Sequence, residues 1–272
     1  MELIQVNQEK CIRCGFCADV CPRSVINMGN QGPEVIGTEE RCIACGHCVA
    51  VCPQDALDNV KTPLAQQLPI GKAPVLDADT ACHFLRARRS IRRYKKDGVS
   101  REKILKLLDI ARLAPTGSNA QGVAYHVIDN ADILRKITAA TVNWIDEQVQ
   151  KGSPWALPYA SSVDNYRKTG QDIILRDAPC LVVAITEKNF LPRGRDNSHF
   201  SLTYAELYAP AIALGTCWAG FFETCASAGY RPMLSLLNLP EDMIVTGGLM
   251  VGYPQYSYKR LVDRNPLQVT WQ

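Results

Sequence analysis

Eight of the twelve cysteines in this 272-residue chain fall into two copies of one spacing, CxxCxxCxxxCP. The first copy is Cys11, Cys14, Cys17 and Cys21 before Pro22, and the second is Cys42, Cys45, Cys48 and Cys52 before Pro53. The stretches CIRCGFCADVCPRSVI and CIACGHCVAVCPQDAL are one unit repeated after 31 residues, so the front of the chain is a duplicated module ending near Asn59. Short spacings let three thiolates of a run converge, and the proline after each fourth cysteine keeps the next helix from starting early. A module this small buries little apolar surface, so ligation has to supply folding free energy. Zinc fits the pattern poorly, because its sites commonly use two CxxC pairs and each run here has a third and a fourth member. A disulfide framework also fits poorly: the chain is long, and MELIQVNQEK lacks the basic start and apolar core of a secretion signal.

The two runs resemble the ligand pattern of bacterial ferredoxins that hold two 4Fe-4S clusters. In that arrangement the fourth cysteine of each run crosses over. The resemblance therefore implies one centre on Cys11, Cys14, Cys17 and Cys52 and another on Cys42, Cys45, Cys48 and Cys21, and it implies one-electron chemistry. His47, between Gly46 and Cys48, reads as a solvent-facing spacer.

The formal charge of +3 counts the thiols as neutral. Each four-thiolate cluster brings a charge of roughly −2 when oxidised, which moves the total to roughly −1 and removes the case for a nucleic-acid partner. Residues 1–60 hold four Lys/Arg against eight Asp/Glu, and the rest of the chain holds 26 against 19. An acidic front and a basic body predict electron exchange that weakens as salt screens their attraction. The longest apolar stretch, Tyr208–Phe222, is broken by Pro210, Gly215 and Gly220 and is too short to span a bilayer, so no membrane partner and a cytoplasmic setting are expected.

Residues 60–79, with three prolines and no helical period, read as an extended linker, leaving 80–272 as a larger domain. Ser100 suits the N-cap of a helix carrying Ile104, Leu107, Leu108 and Ala111 and ending before Pro115. A strand over 123–128, a helix over 131–150, and buried strands over 180–185 and 243–251 follow from the apolar patterning. A helix over 197–214 should bend or split at Pro210. Cys82, Cys180, Cys217 and Cys225 read as small buried hydrophobes. His83, His126 and His199 are isolated in sequence, and no catalytic side chain is assigned. There is no GxGxxG, hence no dinucleotide-binding fold.

Three segments of this domain suit a phosphorylated planar ligand. They are Arg88-Arg89-Ser90-Ile91-Arg92-Arg93-Tyr94, then Pro115-Thr116-Gly117-Ser118-Asn119 with Gln121, and a C-terminal stretch with Lys259, Arg260 and Arg264. Taken singly, each is a weak signal. In this order they resemble the nitroreductase family of flavin enzymes, over roughly residues 82–272, so the whole chain resembles the ferredoxin-fused nitroreductases. The resemblance implies an α+β fold, a mixed sheet flanked by helices, behind the small ferredoxin-like domain of residues 1–59.

It also implies noncovalent FMN, with Arg88, Arg89, Ser90 and Arg92 near the phosphate and pyrimidine side and Lys259 and Arg260 completing the phosphate clamp. As in the family's intertwined homodimers, Pro115, Thr116, Gly117, Ser118 and Asn119 would come from the partner subunit, with Gln121 closing that loop. The LGTCWAGFF segment would offer backbone donors to the flavin from Ala219, Gly220 and Phe221. Residues 141–172, with Trp144, Trp155, Tyr159 and Tyr166, read as a cover that shapes an acceptor pocket. The expected function is transfer of electrons from reduced ferredoxin or NAD(P)H to a small nitroaromatic, quinone or activated alkene. The competing class is an electron carrier or redox sensor without a substrate of its own.

Overall fold

The computed structural model describes residues 2–71 and 75–272. Contacts divide the chain into two compact units, Met1–Val75 with Ser118–Ala120, and Leu76–Gly117 with Gln121–Gln272.

The first unit contains β1 (Ile4–Val6), α1 (Phe16–Asp19), β2 (Ile26–Gly29), β3 (Gly32–Val35), α2 (His47–Ala50) and β4 (Leu57–Asn59). β1 pairs antiparallel with β4, and β2 with β3. The sequence repeat is also a backbone repeat: Arg13, Gly15 and Ser24 have positive φ, and so do Ala44, Gly46 and Asp55, each 31 residues later. Gly15 and Gly46 open α1 and α2 at φ 82° and 74°, a left-handed turn that glycine adopts without steric cost. A small core of Leu3, Ile4, Val25, Ile26, Val49 and Leu57 packs between the two strand pairs and the short helices.

Of the expected linker over 60–79, residues 72–74 lie outside the described residues. The remainder corrects that expectation at two points. Leu64–Gln66 forms a 3-10 turn, because the Asp58 carboxylate accepts the Leu64 amide at 2.8 Å. A helix begins at Ala78, because Asp77 caps it by accepting the Thr80 amide at 2.9 Å.

The second unit runs α3 (Ala78–Ala87), α4 (Arg101–Ala111), β5 (Ala124–Ile128), α5 (Ala131–Gln150), α6 (Ala160–Thr169), β6 (Cys180–Glu187), α7 (Arg193–Tyr208), β7 (Gly215–Trp218), α8 (Gly220–Ser227), α9 (Arg231–Leu234) and β8 (Met243–Gly252). Its sheet has the order β5-β6-β8-β7 with antiparallel neighbours. At the edge strand β7, Ser90 adds one isolated parallel bridge to Thr216.

Alternation along β6 explains why the strand is apolar from Cys180 to Ile185. Leu181, Val183 and Ile185 join the core beneath α5 and α8, while Cys180, Val182 and Ala184 join the core beneath α4 and α7. Two glycines of β8 let helices lie directly on the strand. A Cβ on Gly247 would stand 2.8 Å from Leu202 of α7, and one on Gly248 would stand 2.8 Å from Phe222 of α8.

Ser100 caps α4 as expected, and Asn130 caps α5 by accepting the Asp132 and Ile133 amides. The helix expected over 197–214 starts earlier and ends sooner. α7 spans Arg193–Tyr208, and Ala209–Ile212 continues as a 3-10 turn with Pro210 in its first positions, where the missing amide proton costs nothing. Cys82 also departs from expectation: it is exposed on α3, a helix with no buried residue, whereas Cys180, Cys217 and Cys225 are buried. Burial pushes the Cys180 and Cys225 thiols up to about 12, so both are inert at neutral pH.

Candidate functional site

The first unit contains two hollows, each lined by four cysteines. Cys11, Cys14, Cys17 and Cys52 line one, and Cys21, Cys42, Cys45 and Cys48 line the other. The fourth cysteine of each run thus stands with the first three of the other. The left-handed turns aim backbone amides inward at the same place in each repeat: Val25 N–H donates to Cys21 Sγ at 3.3 Å, and Ala56 N–H to Cys52 Sγ at 3.2 Å. Among the described residues no three His, Cys, Asp or Glu side chains close on a point that would hold a single metal ion. Four thiolates held apart around a hollow, with amides aimed at sulfur, suit a polynuclear iron–sulfur centre better than zinc.

In the second unit a groove of about 440 Å³ opens at the junction of β7 and α8. Arg92 stands at its polar side, together with Arg176, and Trp155, Tyr159, Trp218 and Phe221 supply aromatic wall. The Ala219 amide donates to Gly248 O at 2.9 Å, so it is not a free donor, contrary to expectation. The amides of Gly220 and Phe221 lie in the first turn of α8, where a helix has no internal acceptor for them. Cys217 also lines the groove, and its thiol is pushed up by burial, with nearby Arg92 acting the other way.

The segment expected to cover the site divides in two. Thr141 and Trp144 are core residues of α5, because α5 continues to Gln150 and buries that face. Trp155 is 41 % exposed and stacks on Trp144 with ring centroids 5.1 Å apart, while Tyr159 meets Phe221 edge-on at 4.9 Å. Asp172 shapes the rest of this wall. It is buried and accepts the Ile174 and Leu175 amides at 2.8 and 2.9 Å, fixing the loop that carries Ile173, Ile174 and Arg176 into the groove.

Arg88 and Arg89 line a separate cavity of about 620 Å³ with Glu206 and Thr216. Arg88 Nη1 lies 3.5 Å from Glu206 Oε1 and 3.4 Å from Ser90 Oγ. Glu206 is buried, and its other oxygen accepts the Trp218 indole N–H at 2.7 Å. Burial raises the Glu206 carboxyl above its ordinary value even though Arg88, Trp218 and Thr216 each favour the ionised form. Arg89 is committed to backbone: it donates to the carbonyls of Arg86, Arg88 and Arg260. The last of these holds the C-terminal segment, which Tyr94 also meets at Pro254. Lys259 and Arg260 are exposed beside this segment.

Thr116 and Gln121 line a third hollow. Thr116 Oγ1 accepts the Gln121 amide at 3.0 Å, and Asn197 Oδ1 accepts the Gly117 amide at 3.1 Å, so the loop after Pro115 is pinned at both ends. Ser118, Asn119 and Gln121 all have positive φ, a conformation side chains other than glycine seldom adopt. Within one chain, then, the Arg92 groove, the Arg88 cavity and the Thr116 loop are three separate linings.

Sequence reading missed Glu206 and the trio His199, Glu223 and Arg195. His199 Nε2 stands 3.0 Å from Glu223 Oε1 and its ring lies edge-on to Trp218 at 4.8 Å, while Arg195 reaches the same carboxylate at 3.3 Å. These groups meet across α7, β7 and α8, and nothing in their spacing announces it.

Residues 85–253, more than half of the chain, match the family model described as the nitroreductase family. The chain belongs to the nitroreductase family. It is a flavin-dependent oxidoreductase by that membership, and its residues 10–56 match a 4Fe-4S dicluster domain. An iodotyrosine deiodinase of Thermotoga neapolitana is 25% identical over 171 residues, 61% of this chain and 84% of its own. A putative NADH dehydrogenase/NAD(P)H nitroreductase of Archaeoglobus fulgidus is 26% identical over 168 residues, 62% of this chain and 82% of its own. The crystal structure of a nitroreductase with bound FMN from Bacteroides fragilis matches the fold with a TM-score of 0.56 at 18% identity, covering 70% of this chain and 98% of that one. No helix among the described residues is long and apolar enough to cross a membrane.

Proposed function

We propose that this nitroreductase-family chain takes up single electrons through two 4Fe-4S clusters and uses FMN to reduce a small organic acceptor. The observation that carries the reading is the pairing, in one chain, of two four-cysteine hollows with an aromatic groove that has arginines and two uncommitted helix-start amides. FMN bound at that groove would supply the conversion between one-electron and two-electron chemistry that neither half has alone.

The residues divide the work. Arg92 offers a cation to the electron-rich edge of the flavin ring, and the Gly220 and Phe221 amides offer hydrogen bonds aligned with the N-terminus of α8. Arg88, oriented by Glu206 and assisted by Ser90, offers a guanidinium to phosphate, with Lys259 and Arg260 on the C-terminal segment adding charge. The loop 115–121 lines a hollow other than the Arg92 groove of its own chain, as it would in a homodimer where that loop of one subunit completes the groove of its mate. Arg89, whose guanidinium holds Arg260, keeps the C-terminal segment in place.

Trp155 and Tyr159 stand where an acceptor would stack. Trp155→Ala with Tyr159→Ala should reorder a panel of nitroaromatics, quinones, activated alkenes and iodotyrosine by kcat/KM, and an unaltered order would contradict the assignment.

Anaerobic titration with NADH, NADPH and reduced ferredoxin tests the electron path. Reduced ferredoxin should bleach the flavin, and product should then form on addition of a nitroaromatic or quinone. A protein that takes and returns electrons without turning over any acceptor would instead be a carrier or sensor.

A further inference from the structure

The 31-residue repeat allows the two four-cysteine hollows to be compared position by position. Most pairs match in kind, and the inward backbone donors match as well, one to Cys21 and one to Cys52. Each hollow also has one arginine on its lining, Arg13 in the first and Arg23 in the second, at different places in the repeat. Side chains also differ at Phe16 and His47 and at Gln54 and Arg23, but the break whose side chain reaches cysteine sulfur is at Met28 and Asn59. Met28 lines the first hollow and offers no hydrogen-bond donor. Asn59, at the same place in the second, is 2 % exposed and directs Nδ2 at Cys48 Sγ, 3.8 Å away, and Cys42 Sγ, 3.9 Å away. Its orientation is fixed from the other side. Oδ1 accepts the Lys61 amide at 2.9 Å, so the NH₂ end must face the sulfurs.

We propose that Asn59 makes the two centres unequal by raising the reduction potential of the one on Cys21, Cys42, Cys45 and Cys48. The inference rests on the two-cluster reading above. A donor to a ligating sulfur stabilises the more negative, reduced form of a cluster, and in a buried setting the bond is little weakened by water. One electron given to the pair by a one-electron reductant therefore resides on the second centre, which is reduced by one, and the first stays oxidised. Met28 leaves the first centre without this stabilisation, so the direction of the asymmetry is set by side chains rather than by ligand type.

The test uses the full-length protein purified without oxygen, titrated with dithionite and followed by electron paramagnetic resonance, with iron assayed on the same samples. Wild-type protein should show one reduced centre before the other. Asn59→Met, which copies the first repeat into the second, should shift the electron's distribution between the centres by about tenfold toward the first, equivalent to about 59 mV for one electron. Its iron content should stay at about eight per chain. Unchanged order and spacing of the two reductions, with iron intact, would overturn the proposal. If Asn59→Met loses iron, Met28→Asn decides: the added donor must bring the two potentials together, and an unaltered gap overturns the proposal. About four irons per wild-type chain would refute the two-cluster reading itself, a result distinct from any potential shift.

Discussion

Cys14→Ser and Cys45→Ser should each strip about four of about eight irons per chain, leaving one centre whose potential differs between the two variants. The same experiment tests the crossing of ligands between repeats. Cys52 lines the hollow of Cys11, Cys14 and Cys17, so Cys52→Ser should leave the same surviving centre as Cys14→Ser and not the one left by Cys45→Ser. Iron assay with potentiometry on each variant reads this directly, and a Cys52→Ser protein that resembled Cys45→Ser would refute the crossing. The structural effect should be large and local. A core of this size supplies only about 3–5 kcal/mol, so the first unit depends on its metal, and removal of both centres should leave residues 2–71 open to protease. The sheet of the second unit is buried on both faces by α5 and α8 and by α4 and α7, and should resist the same digestion.

Arg88→Ala should have the second largest effect, on flavin retention and on stability together. The guanidinium is the cation beside the buried Glu206 carboxylate, whose remaining partners are Trp218 and Thr216. Its loss should cost about 1–3 kcal/mol at neutral pH, because a charged buried acceptor gives up one partner. The sign of the pH dependence follows from the direction of the shift. Glu206 is already raised by burial, and without Arg88 it rises further, so the folded state holds its proton more tightly than the unfolded chain does. The variant's stability should therefore be nearest to wild type below the ordinary carboxylate range and fall progressively as pH rises through the raised value. Chemical denaturation across that range, comparing Arg88→Ala with Arg88→Ala/Glu206→Gln, checks it: the double variant should lose the slope. If Arg88 holds the flavin phosphate as proposed, flavin released on dilution should rise about tenfold or more, equivalent to about 1.4 kcal/mol.

Local spacing made the cysteine module legible. Four cysteines, one glycine and a proline within a dozen residues leave the backbone few options, and the positive φ values recur with the sequence. Ser100 announced α4 through cap chemistry, α5 was legible in its apolar patterning, and β6 and β8 in continuous apolar runs. The start of α7 was not legible, because Gly194 and Asn197 weaken its first turns and Pro192 stands at the cap. Cys82 was misplaced because residue type stood in for environment. Glu206, Asp172 and Asn59 were missed for one common reason: each is a polar side chain whose role depends on a partner brought close by tertiary packing. Trp218 serves both ends, with its indole N–H tied to Glu206 and its ring on the groove.

The direct test of electron passage from the cysteine module to the flavin is anaerobic rapid mixing of flavin-loaded protein with reduced ferredoxin, following loss of the flavin's yellow absorption. The account predicts fast bleaching in the wild type and bleaching slower by about 10²-fold or more, roughly 2.7 kcal/mol in barrier, in a Cys14→Ser/Cys45→Ser protein that retains its flavin. Equal rates in the two proteins would contradict it.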